Sequence, residues 1–247
     1  MATLSLALVI PVAVGACGAQ VSDDSPASAR QVLPARVAVR PPAASPALAP
    51  AANARRIVFL GDSLTAGLGL DEEEAYPAVI ERELAAEGTP VQVINAGVSG
   101  DTSAGGLSRL GWLLGQHPDV VVVALGANDG LRALPVEETE KNLREIVRRS
   151  QAAGVRVLLL GMRIPPNYGP DYTERFAAMY PRLAAELQVP LVPFLLEGVG
   201  GVRSLNQADG IHPTAEGQEI LAKNVLPYLA TVLHEPAAKA VGAAGAG

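Results

Sequence analysis

Five apolar runs constrain this chain more than anything else in it. They are Arg56–Leu60, Val91–Asn95, Asp119–Leu125, Val155–Gly161 and Pro190–Phe194. Each is continuous in Val, Ile and Leu rather than alternating, which is how strands covered on both faces read. Helical patterns stand between and after them at Ala75–Glu87, Thr102–Gln116, Pro135–Ala153, Tyr172–Leu187 and Thr214–Leu233. Gly88 and Gly154 suit helix ends, while Asp101 or Thr102 and then Thr214 suit helix starts. Strand and helix alternate from end to end. That pattern predicts an α/β fold with a parallel sheet of five strands and helices on both faces.

Ligands in such sheets bind at the carboxyl ends of the strands. Four polar loops fall there: Gly61–Leu64, Ala96–Thr102, Gly126–Gly130, and Asp209–Pro213 just before the last helix. Serine alone is a poor nucleophile and needs a base, with a third group to orient that base. Ser63 is the candidate nucleophile and His212 the candidate base. Asp209, three residues before His212, is placed to orient its ring. An oxyanion hole needs donors aimed at developing negative charge. The candidates are the N–H of Ser63, the N–H of Gly97, where no side chain blocks approach, and the side-chain amide of Asn128. Asp62, Asp101 and Asp129 are expected to hold loops rather than to do chemistry. Trp112, Phe176 and Tyr180 sit in helical patterns and are expected in the core.

The blocks Gly-Asp-Ser-Leu, Asn-Ala-Gly-x-Ser-Gly-Asp-Thr, Gly-x-Asn-Asp-Gly-Leu-Arg and Asp-Gly-Ile-His-Pro occur in that order. Together they resemble the SGNH, or GDSL, hydrolase family. Arg163–Gly169 and Met179–Leu183 resemble its bacterial arylesterase, acyl-CoA thioesterase and lysophospholipase branch. The resemblance implies a flavodoxin-like three-layer α/β/α sandwich. It also implies that Ser63, Gly97, Asn128 and His212 are the four name-giving residues and that Asp209 completes the triad; the loop Leu131–Val136 resembles a substrate-contacting flap, with a plain helix lead-in as the alternative.

The 247 residues are 49% hydrophobic and 18% charged, ample for one filled domain. A formal charge of −6 argues against nucleic acid, whose phosphates demand a basic surface. Cys17 is the sole cysteine, and the three histidines are far apart, so neither an intramolecular disulfide nor a metal site is expected. No phosphate-loop spacing occurs, and no cofactor is expected. Residues 1–17 read as a signal peptide whose Val14-Gly15-Ala16-Cys17 ending resembles a lipoprotein cleavage box. Residues 18–55 are rich in Ala and Pro and read as a linker, 56–235 as the hydrolase domain, and 236–247 as a tail.

These readings lead to a monomeric serine esterase of acyl esters or thioesters in the cell envelope, periplasmic or on the surface, or else secreted. Its substrate is a small-molecule or lipid ester, and it touches the membrane only through an N-terminal lipid anchor. Two rival readings are a carbohydrate O-acetylesterase acting on envelope polysaccharide and a catalytically silent lipid- or glycan-binding lipoprotein.

Overall fold

The structure, a computed structural model, describes residues 54–234. The signal segment with Cys17, the linker up to residue 53 and the tail lie outside the described residues. Five strands form one sheet: β1 Arg55–Gly61, β2 Val91–Gly97, β3 Val120–Ala124, β4 Arg156–Leu160 and β5 Leu191–Val192. All neighbours are parallel, in the order β2-β1-β3-β4-β5. Ile57–Leu60 and Val120–Val123 are fully buried, as unbroken apolar runs require when both faces are covered. Arg55, expected in the linker, is the first residue of β1.

The helices are α1 Ser63–Ala66, α2 Tyr76–Ala86, α3 Ser103–Leu114, α4 Ala127–Leu131, α5 Val136–Ala152, α6 Pro170–Leu187 and α7 Ala215–His234. α2 packs with α7, while α3, α5 and α6 pack side by side, so the sheet lies between two helical layers. This is the expected α/β/α sandwich. α1 and α4 span only 4 and 5 residues, too short for a helical period to show in sequence. β5 is shorter than the run Pro190–Phe194. Pro190 and Pro193 have no N–H to give the ladder, which leaves a two-residue edge strand. Phe176 and Tyr180 are core residues as expected, but Trp112 is 68% exposed. Leu110 and Leu113 turn the apolar face of α3 inward, and Trp112 lies off that face.

Candidate active site

β1 ends in the turn that carries Ser63. Asp62 caps α1 by accepting the Leu64 N–H at 3.0 Å, and Gly67 closes the helix with φ +70°. The turn is fixed from two sides. Thr65 Oγ1 meets the Tyr76 hydroxyl at 2.9 Å. Gln218 of α7, 1% exposed, accepts the Tyr76 N–H at 2.9 Å and donates to the Leu64 carbonyl at 3.2 Å. Ser63 is 9% exposed and lines the cleft.

The segment before α7 brings the His212 imidazole to the Ser63 hydroxyl. His212 Nε2 lies 2.9 Å from Ser63 Oγ, and His212 Nδ1 lies 2.6 Å from Asp209 Oδ2. Asp209 Oδ1 accepts the N–H groups of Ile211 at 2.9 Å and His212 at 3.0 Å, so one carboxylate shapes the loop and orients the ring. The His212 ring, followed by those two N–H donors, holds the Asp209 carboxyl well below the usual carboxylate range. With Nδ1–H donating to Asp209, Nε2 is the free acceptor facing the serine proton.

Asn128 is the second residue of α4, in the turn after β3 that Gly126 opens. Gly126 has φ +110°, and a Cβ there would stand 2.4 Å from the Tyr180 hydroxyl, so glycine is required for this turn. The Asn128 amide donates to Asp62 Oδ2 at 3.3 Å, and Asn128, Asp62, Ser63 and His212 line one cleft. Asp62 is buried, and burial pushes its carboxyl up to about 6 against the opposing effect of the Leu64 N–H, His212 and Asn128.

Gly97 does not take the expected part. Its N–H is already engaged, donating to Asn95 Oδ1 at 3.0 Å. A Cβ on Gly97 would lie 2.3 Å from the Ala66 backbone nitrogen, so the glycine serves the close passage of β2 beneath α1. An Asn side chain commonly bonds the backbone two residues on, and Asn-Ala-Gly in the sequence carries that signal. In the same loop Gly100 has φ +80°. The N–H groups of Ser63 and Gly100 donate to no protein group among the described residues.

These loops are held by the expected aspartates and by residues missed in the sequence, Arg109, Tyr168 and Tyr172. Arg109 pairs with Asp101 at 2.8 Å and donates to the carbonyls of Ala96 at 2.7 Å and Gly61 at 2.9 Å. One guanidinium therefore ties the ends of β1 and β2 to the loop between β2 and α3. Asp129, buried beside Asn128, accepts the Ser103 N–H at 2.8 Å and the Ser103 hydroxyl at 2.5 Å. The three aspartates expected to hold loops all do so, and Asp62 also holds Asn128. The Leu131–Val136 loop is tied down by Tyr168, whose hydroxyl donates to the Leu131 carbonyl at 2.7 Å, and by Tyr172, whose hydroxyl donates to the Leu134 carbonyl at 2.6 Å.

The cleft beside Ser63 encloses about 590 Å³, with Leu131, Met162, Ile164, Phe194, Leu196 and Ile211 among its walls. Among the described residues, no group of His, Cys, Asp and Glu side chains converges in the manner of a metal site.

A buried serine, an oriented imidazole and an apolar cleft at the carboxyl edge of a parallel sheet accord with a serine hydrolase of ester bonds, which is the class of this chain. The chain belongs to the GDSL-like Lipase/Acylhydrolase family, which matches residues 59–220. It is 48% identical over 183 residues to esterase TesA of Pseudomonas aeruginosa, covering 74% of this chain and 91% of that one. It is 44% identical over 173 residues to thioesterase 1/protease 1/lysophospholipase L1 of Escherichia coli, covering 70% and 82% of the two chains. A crystal structure of TesA matches the fold with a TM-score of 0.70 at 47% identity, covering 72% of this chain and 99% of that one.

Proposed function

We propose that this enzyme cleaves acyl esters and thioesters through an acyl-serine intermediate, with Ser63 as nucleophile, His212 as base and Asp209 as orienter. The hydrogen-bonded succession from Ser63 Oγ to His212 Nε2 at 2.9 Å and from His212 Nδ1 to Asp209 Oδ2 at 2.6 Å carries the reading. Oγ attacks the carbonyl carbon as its proton passes to Nε2. The carbonyl oxygen becomes an oxyanion facing the Asn128 amide and the free N–H groups of Ser63 and Gly100. His212 then protonates the departing alcohol or thiol as the C–O or C–S bond breaks. A water, deprotonated by the same Nε2, attacks the acyl-serine, and Oγ leaves with the proton as the acid departs.

The apolar cleft walls support an acyl chain over an acetylated sugar, and the intact hydrogen-bond relay supports an active enzyme over a silent binding protein. The relatives named esterase, thioesterase and lysophospholipase support the same substrate class. The enzyme acts as a monomer in the cell envelope, anchored by a lipid on Cys17 ahead of the linker. No helix among the described residues is long and apolar enough to cross a membrane. Ser63→Ala should abolish hydrolysis of a chromogenic short-chain ester while leaving the circular dichroism spectrum intact; undiminished turnover would refute the assignment. Cys17→Ser should move the protein out of the membrane fraction, and unchanged retention would count against that anchor.

A further inference from the structure

We propose that Arg163 selects substrates bearing an oxyanion, so that the cleft prefers anionic acyl esters to neutral ones of equal length. This rests on the esterase function proposed for the site and deepens it. Ser63 follows β1, Asn128 follows β3, Arg163 follows β4 and Phe194 follows β5. In the strand order β2-β1-β3-β4-β5 the cleft therefore runs sideways from the nucleophile across β3 to the last two strands. Strands lie about 4.8 Å apart, which puts the β4 loop roughly 10 Å along the cleft from the β1 loop. Arg163 thus stands at a distance where it meets a second group of the substrate, not the scissile carbonyl.

Arg163 is the only Lys or Arg among the residues lining the cleft. Its guanidinium carbon sits 4.9 Å from the centre of the Phe194 ring. The ring face steadies the cation without engaging its N–H donors. No carboxylate pairs with it among the described residues, whereas Arg109, Arg144, Arg148, Arg149, Arg175 and Arg182 each have a partner. The remaining charged or titratable groups of the cleft are engaged elsewhere. Asp62 is held by Leu64 and Asn128, and His212 by Asp209 and Ser63. What remains is a planar fork of donors, exposed, pre-oriented and without an anion, in an otherwise apolar wall. Such a fork binds phosphate or carboxylate through paired hydrogen bonds. The simpler alternative is that Arg163 only roofs Phe194 with its aliphatic stem, in which case its loss would affect all substrates alike.

The test compares the full chain with its Arg163→Gln and Arg163→Lys variants on two matched pairs. One pair is a 1-acylglycerol 3-phosphate and the monoacylglycerol with the same chain, which places the anion on the leaving group. The other is the mono-p-nitrophenyl ester of a dicarboxylic acid and the p-nitrophenyl ester of its methyl-ended counterpart, which places the anion on the acyl chain. In at least one pair the ratio of kcat/KM, anionic over neutral, should fall roughly tenfold in Arg163→Gln and less in Arg163→Lys. The pair that responds identifies which part of the substrate carries the anion. Added salt should erode the wild-type preference. Unchanged ratios in both pairs, or equal losses on every member, would overturn the proposal. A wild-type protein inactive on all four esters would instead sink the esterase function itself.

Discussion

Asp62 Oδ2 accepts the side-chain amide of Asn128 at 3.3 Å, while Asp62 Oδ1 accepts the Leu64 N–H at 3.0 Å. One buried carboxyl thereby joins the Ser63 turn after β1 to the amide after β3. Burial raises it from an ordinary 3.8 to about 6. A carboxyl whose folded value is raised contributes stability that is fully present below about pH 4 and is lost as the pH rises through about 6. A rise of that size corresponds to about 3 kcal/mol. Urea denaturation from pH 4 to 7 should show wild-type stability falling by about that amount relative to Asp62→Asn. Parallel curves for the two proteins would contradict the assignment of the raised value to Asp62.

Asn128 faces the cleft next to Ser63 with its second amide hydrogen uncommitted. Asn128→Ala should lower kcat by roughly 10²–10³, as removal of one oxyanion donor does, with a much smaller change in KM. Steady-state kinetics on a short-chain ester measures this. A loss below about threefold would remove Asn128 from the hole.

Arg109 reaches Asp101, the Ala96 carbonyl and the Gly61 carbonyl with one planar group. A lysine keeps the charge but cannot span three acceptors in a fixed fork. Arg109→Lys should therefore lower kcat roughly tenfold with little change in KM, because the loop that carries Gly100 loses its anchor while the cleft walls stay in place. A variant less stable to denaturant but unchanged in kcat would show that Arg109 holds the fold alone.

The sheet is legible in the sequence because Ile57–Leu60 and Val120–Val123 are buried on both faces, and burial on both faces is what leaves an apolar run unbroken. The meeting of Ser63, Asp209 and His212 is legible because each sits in a short block at a strand or helix end, where the topology brings them to one edge. Gly97 misleads because a bare glycine is ambiguous between a ligand-facing N–H and a packing contact. The Asn95 side chain and Ala66 decide for packing. Gln218 and Arg109 leave no local signal because their work depends on long-range pairing. Gln218 meets Tyr76 and Leu64, and Arg109 meets Gly61, across separations that carry no period. Trp112 shows the opposite failure. A large aromatic in a helical pattern suggests core, yet a position one residue off the apolar face turns to solvent.

The proposed chemistry depends on His212 activating Ser63 across 2.9 Å. Intact-mass spectrometry of the folded protein exposed to a fluorophosphonate tests this directly. The wild-type enzyme should gain one adduct that peptide mapping places on Ser63, and His212→Ala should react slower by roughly 10³-fold or more. Equal labelling rates in the two proteins, or an adduct on any other residue, would contradict it.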